Sequence, residues 1–272
     1  MHDHDRGLSW DLSTLMTRRR ALQIAAVGGL AAVVGCGSSD DGSGAATTTA
    51  ATQERAPATT AAASTATEIP EETAGPFPAD GSNGPNVLTE SGIVRSDIAS
   101  SFGGASGVAD GVPVTIDLTI LDVAAGGTPA AGAAVYLWHC DREGRYSIYD
   151  QAIAGENCLR GVQAAGADGT LAFTSIWPGA YSGRWPHIHF EVYPSLDAAT
   201  SAGSTLVTSQ IALPADACDQ VYATAGYEQS AQNLAGTSLD SDNVFSDGYS
   251  TQLGTAGGSP SGGMTLALNV GV

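Results

Sequence analysis

Six short runs in the chain alternate apolar and polar residues with a period of two, and this pattern constrains the fold more than any other feature. "VPVTIDLTIL" (112–121) is the longest, and "AAVYLWHC" (133–140), "TLAFTSIW" (170–177), "HIHFEVY" (187–193), "TLVTSQIAL" (205–213) and "MTLALNVGV" (264–272) repeat the type. Successive side chains of a strand point to opposite faces, so each run presents one face for burial. Between the runs stand "AAGGTPAAG", "DREG", "AAGADG", "PGAYSG" and "YPSLDAATSAG", whose Gly, Pro and Asp residues favour turns. Short strands at near-regular spacing, with no internal repeat, predict an all-β domain: a β-sandwich core with long loops. Helical composition is confined to "DACDQVYATAGYEQS" (216–230).

The first quarter of the chain has a different character. Arg18-Arg19-Arg20 leads into an apolar stretch over 21–34, too short to span a bilayer comfortably and typical of an export signal. The adjacent arginines resemble a twin-arginine signal, with Met16 as an alternative start. Val33-Val34-Gly35-Cys36 resembles a lipobox, so residues 1–36 end either in a lipid-modified Cys36 or in cleavage nearby that discards it. Residues 37–67 are almost entirely Gly, Ser, Ala, Thr and Asp, cannot bury enough apolar surface to offset ordering entropy, and are expected to form a disordered tether. The expected product is an extracytoplasmic domain over 68–272, anchored to a membrane through Cys36 or secreted.

The chain contains no lysine and carries a formal net charge of −18. From Thr73 onward 19 acidic residues face five arginines, a balance that should repel nucleic acid and other polyanions rather than bind them. Self-association is compatible with the sequence but not specified by it. Four of those arginines, Arg142, Arg145, Arg160 and Arg184, lie between positions 142 and 184. Besides Cys36 there are three cysteines. An exported domain permits a disulfide, and Cys158 with Cys218 is the expected pair because Cys140 lies in a run that reads as a buried strand.

"RWPHIHFEV" (184–192) sets His187 and His189 on one side of a strand and Ile188 on the other. Two imidazoles on one face either bind a metal or meet solvent. Tyr181 lies in a glycine-flanked loop six residues before His187, and Tyr146 follows the turn after another strand. A phenolate is a hard anionic donor that suits ferric iron, so two phenolates with two neutral imidazoles favour Fe(III) over Fe(II) and disfavour zinc.

"TAGPF" (73–77), "VRSDI" (94–98), "VYLWHCDREGRYSIYD" (135–150), "LRGVQAAGADGTLAFTSIWPGAYSGRWPHIHFEVY" (159–193) and "TSQIALP" (208–214) together resemble the intradiol ring-cleavage dioxygenases. The resemblance runs from about residue 68 to the C-terminus. It implies a non-haem Fe(III) enzyme that opens a catechol-type ring with dioxygen to a cis,cis-muconate-type diacid. Its iron ligands fall on Tyr146, Tyr181, His187 and His189, with Tyr181 also serving as a base and Arg184 as the active-site arginine. Gln210 matches a glutamine near the site, and Arg160 and Gln163 of "LRGVQ" are expected to pack beneath it and orient the ligands. The family's common "GPYY" reads "GPFP" here, with Phe77 and Pro78 in place of aromatic residues, and the helical N-terminal segment of the catechol-specific branch is missing. His139 is expected to be structural, Tyr149 to be a sequence neighbour of Tyr146 without its role, and Arg142 and Arg145 to be surface turn residues. The alternative reading is a membrane-tethered β-sandwich binding module that kept the scaffold and lost catalysis; retention of all four ligand types and the arginine speaks against it.

Overall fold

The computed structural model describes residues 66–201 and 203–272. The export segment, Cys36 and residues 37–65 of the tether lie outside the described residues. The alternating runs become strands β1 (Pro113–Asp122), β3 (Ala134–Trp138), β5 (Thr170–Ile176), β6 (His187–Tyr193), β7 (Val207–Ala212) and β9 (Gly263–Gly271). Three further strands carry weak or no alternation: β2 (Thr128–Pro129), β4 (Arg160–Ala164) and the glycine-rich β8 (Thr255–Ser259). Helices α2 (Ala215–Tyr222) and α3 (Glu228–Leu234) form where helical composition was found, and α1 (Leu196–Thr200) is added within a segment expected to be a turn.

One sheet has the order β2-β1-β9-β8, with β5 also paired to β1, and the other has the order β4-β3-β6-β7. All pairings are antiparallel except that of β1 with β9, which brings the start and the end of the domain side by side. Between the sheets Val114, Ile116, Leu118 and Ile120 of β1 and Leu266, Leu268 and Val270 of β9 meet Val135, Leu137, Ile188, Phe190, Val192 and Ile211. This packing makes the all-β sandwich, and each such side chain stabilises it by roughly 1.5–3 kcal/mol.

The four-stranded sheet is buried on both faces: β3 and β6 have no exposed residue. Its outer face packs Tyr136, Trp138, Val162 and Tyr193 against Ala79, Val87, Leu88 and Ile93. The segment before these residues is an irregular strap. Ile69 N donates to Gly271 O (3.0 Å) and Glu72 N to Thr208 O (2.7 Å), and Ser209 Oγ donates to Pro70 O (2.8 Å). The strap thus passes from β9 of one sheet to β7 of the other and reaches the outer face, where Gly75 lies against His189.

The expected Cys158–Cys218 disulfide does not form: Cys140, Cys158 and Cys218 are all free and buried. The physical reason is their separation into different apolar clusters, Cys218 in the main core on α2 and Cys158 in a small cluster with Leu159 and Ile176. Cys140 donates through its thiol to Gly179 O at 3.4 Å.

Candidate metal centre

Strand register assembles the floor of the site. His189 pairs with Gln210 on one side and Trp138 on the other, and Trp138 pairs with Arg160, so these four residues form one row across β7, β6, β3 and β4. Directly opposed residues share a face, which places Arg160 and Gln210 on the side that carries the histidines. Gln163 lies three residues beyond Arg160 and pairs with Val135, a core residue. An odd spacing along a strand changes faces, so Gln163 is turned away and is not brought to the site.

Two loops bring the tyrosines above this floor. In "DREG" Asp141 accepts from Glu143 N (3.0 Å) and Arg145 N (2.9 Å), and Gly144 at φ +83 brings the turn against Tyr181. Gly179 N donates to Asp141 O (3.0 Å), and α3 holds the second loop through Ser230 Oγ, which accepts from Ala180 N (3.0 Å), and Asn233, which donates to Ala180 O (2.8 Å). Arg142 pairs with Asp110 and Glu143, and Arg145 with Asp141 and Glu143, so both guanidiniums are half-buried in ion pairs that hold this turn rather than free on the surface.

The four predicted ligands converge. Tyr181 Oη lies 3.0 Å from His187 Nε2, and His187 Nε2 lies 3.1 Å from His189 Nε2. The Tyr146 ring stands edge-on to Tyr181 and His189 at centre distances of 6.0 and 6.2 Å, and its Oη is buried without a hydrogen-bond partner. Tyr149, by contrast, donates to Asn83 Oδ1 (2.8 Å) and accepts from Ala79 N (2.9 Å), away from the cluster. His139 is bonded to Cys140 O and Ser175 Oγ, a structural pairing.

This donor set fits a metal ion. Donors about 2.1 Å from a common ion and at right angles stand about 3.0 Å apart, the spacing of Tyr181 Oη and of His189 Nε2 from His187 Nε2. The Nδ1 of His187 faces Trp185 O at 2.5 Å, which fixes that nitrogen as the donor and leaves Nε2 with its lone pair. Trp138 stacks on His189 at 5.0 Å and 5°, holding the second ring. Burial keeps both imidazoles neutral, well below the ordinary histidine range, which is the form that ligates. Burial also raises the Tyr146 phenol well above its usual range, so a phenolate forms there only against a strong positive charge. Among the described residues no group of three or more His, Cys, Asp or Glu side chains is placed to hold a metal, so the tyrosines are essential to the set.

Arg184 is buried beside the cluster. Its Nε donates to Asp242 Oδ2 (2.9 Å) and its Nη2 to Gln210 Oε1 (2.7 Å), while Gln210 Nε2 donates to Thr73 O (2.9 Å). Asp242 also accepts from Trp185 N (2.7 Å) and Val244 N (2.8 Å). Sequence reasoning missed Asp242, 58 residues from Arg184 in an irregular segment. It also missed Glu72 and the role of the strap, where Gly75 at φ +69 passes so close to His189 that an added Cβ would lie 3.2 Å from the ring. Phe77 packs at 5.0 Å from Tyr146.

Glu72 has a measurable signature. Burial, then Asp247, push its carboxyl up to about 8 against the pull of Arg184. Burial likewise pushes Glu191 to about 7, although Tyr193 Oη donates to it at 2.7 Å. Between the ordinary value of 4.5 and the raised value the folded chain holds a proton that the unfolded chain has lost, so stability falls as pH rises through that window. His139, lowered to about 4 by burial, and His187 and His189, held neutral by burial, act in the opposite direction, with an effect that fades as pH rises past the ordinary histidine value of 6.5. Chemical denaturation from pH 7 to 8 is therefore expected to show falling stability, with Glu72 contributing at most about 1.4 kcal/mol per pH unit. Glu72→Gln should flatten that slope, and an unchanged slope would show that Glu72 is ionised in the folded chain.

Two sheets packed face to face, with two histidines and two tyrosines gathered on the outer face of one of them, define a β-sandwich protein with a candidate metal site. A family profile described as Dioxygenase matches residues 84–225, more than half of the chain, and the chain belongs to that family, the intradiol ring-cleavage dioxygenases. Tyr146, Tyr181, His187, His189, Arg184, Arg160 and Gln210 fall inside the match; the strap and Asp242 fall outside it. A stretch of 55 residues is 38% identical to chlorocatechol 1,2-dioxygenase of Rhodococcus opacus, covering 20% of this chain and about a fifth (21%) of that relative. The fold is similar to that of an intradiol ring-cleavage dioxygenase from Tetranychus urticae, with a TM-score of 0.54 and 23% identity over 67% of this chain and 87% of that one.

Proposed function

We propose that this chain is an Fe(III)-dependent intradiol dioxygenase that cleaves a catechol between its two hydroxyl-bearing carbons, with dioxygen, to a cis,cis-muconate-type diacid. The observation that carries the reading is the convergence of Tyr181 Oη and His189 Nε2 on His187 Nε2, at 3.0 and 3.1 Å from it, next to the buried Tyr146 Oη. Iron(III) held by these four residues would supply the positive charge that stabilises a catechol dianion and makes its ring reactive towards dioxygen.

The chain's own residues account for the rest. Tyr181 Oη, already engaged with His187 Nε2, is placed to take a proton from a catechol hydroxyl. Arg184 is fixed on two sides by Asp242 and Gln210, so its guanidinium needs no reorganisation to stabilise negative charge that develops on the ring. Trp138 and the Trp185 carbonyl keep the imidazoles aimed at a common point. Burial of His187, His189 and Arg184 keeps these groups in surroundings of low dielectric, which strengthens these electrostatic effects.

Oxygen uptake by the ferric-loaded chain with catechol, together with broad visible absorption from phenolate-to-iron charge transfer, tests the proposal. A chain that stays colourless after ferric loading and consumes no oxygen with any catechol would return the binding-module reading to first place.

A further inference from the structure

Arg160 is fully buried, and every group it donates to is an uncharged oxygen. Its Nε donates to Ser147 Oγ (3.1 Å) and its Nη2 to Ser147 O (3.0 Å). Its Nη1 reaches Phe77 O (2.9 Å), Pro78 O (3.0 Å) and Tyr136 Oη (3.2 Å). Ser147 Oγ in turn donates to Cys158 O (2.6 Å), and Tyr136 Oη to Pro78 O (2.6 Å). A cation removed from water without a carboxylate is costly, so five contacts to backbone and hydroxyl oxygens are the means by which it is tolerated. Only the planar fork of an arginine can reach them all at once.

A second observation falls on the same place. The non-glycine residues with positive φ among the described residues are Ala79 (53°), Ile148 (75°) and Leu159 (61°). Each is the chain neighbour of a residue in this network: Pro78, Ser147 and Arg160 itself. For a β-branched residue such as Ile148 the left-handed region is an outlier, and such conformations persist only where the surroundings over-determine them. The two segments joined by the guanidinium carry Phe77 and Tyr146, whose rings lie 5.0 Å apart.

We infer that Arg160 is a positioning residue, a buried clamp that locks three strained backbone segments together and so fixes the Tyr146 phenol against the histidine pair. Its position in the row His189–Trp138–Arg160 means that the strand register carrying one ligand also sets the clamp for another. This inference rests on reading the cluster as a metal centre, and its test has an arm that needs no metal.

The test uses the full chain with Arg160→Lys, which keeps the charge but cannot bridge the five acceptors, and Ser147→Ala, which keeps the guanidinium and removes one acceptor. In iron-free protein, hydrogen exchange of amides in 77–80 and 146–150 is expected to rise at least tenfold in Arg160→Lys and several-fold in Ser147→Ala, with β1 and β9 unchanged. After ferric loading, the phenolate absorption of Arg160→Lys should shift in wavelength and iron should be lost at least tenfold faster than from the wild type. Unchanged exchange in both segments, or an increase spread evenly through β1 and β9, overturns the clamp. If the wild-type chain takes up no coloured iron, the metal reading fails on its own, and the exchange arm still decides whether Arg160 holds Tyr146 in place.

Discussion

Tyr146→Phe is expected to abolish most of the visible colour of the ferric protein and to lower iron retention and turnover by at least about 100-fold, with little change in stability. The wild-type Oη has no hydrogen bond of ordinary geometry, and its polar neighbour, the Tyr181 hydroxyl, also engages His187 Nε2, so its removal leaves no buried group without a partner and no cavity larger than one oxygen. What the substitution does remove is an anionic donor to the cluster, and loss even of an indirect partner of a metal ligand typically costs 10–100-fold in affinity. Iron content after dialysis, absorption spectra and thermal melts read the three effects separately. Tyr149→Phe is the control: its hydroxyl serves Asn83 and Ala79, so iron content should stay at the wild-type level. Retention of colour in Tyr146→Phe with its loss in Tyr149→Phe would show that the wrong tyrosine has been placed in the site.

Arg184→Met is expected to lower turnover by about 100- to 1000-fold, the range seen when a preorganised electrostatic donor is lost. It should also destabilise the fold by about 3–5 kcal/mol, because Asp242 is fully buried and is left as an uncompensated charge. The two effects can be separated. In the double variant Arg184→Met with Asp242→Asn, the residue at 242 is neutral and much of the lost stability should return, while turnover stays low. Denaturation midpoints and kcat on catechol read the outcome. Recovery of turnover along with stability would mean that Arg184 acts only as the counter-ion of Asp242 and has no electrostatic part in the chemistry.

The two variants probe parts of the site that were not equally visible in the sequence. His187 and His189 were legible as a pair because period-two alternation is a local property, and the structure places both on the outer face while Ile188 enters the core. The same parity argument, applied to Arg160 and Gln163, shows why only Arg160 belongs to the site. Strand β4 escaped notice because Arg160 is a charged residue at a fully buried position, which inverts the pattern that a buried strand ordinarily shows. Tyr146 and Tyr181 were placed by motif rather than by physics, since nothing local to either loop shows that Gly144 and Gly179 bring them together.

The sequence by itself determined the alternating strands, the acidic balance that disfavours polyanions, and the types of donor available to a metal, because each is a matter of composition or of neighbours along the chain. Tertiary structure alone decided that Asp242 pairs with Arg184, that the strap carrying Glu72, Gly75 and Phe77 closes over His189, that Arg160 ties residues 77–78 to Ser147, and that Cys158 and Cys218 lie in separate clusters. Those contacts join segments tens of residues apart through irregular backbone. Irregular backbone has no period to read, so its partners are fixed only when the two sheets pack and the loops close around them.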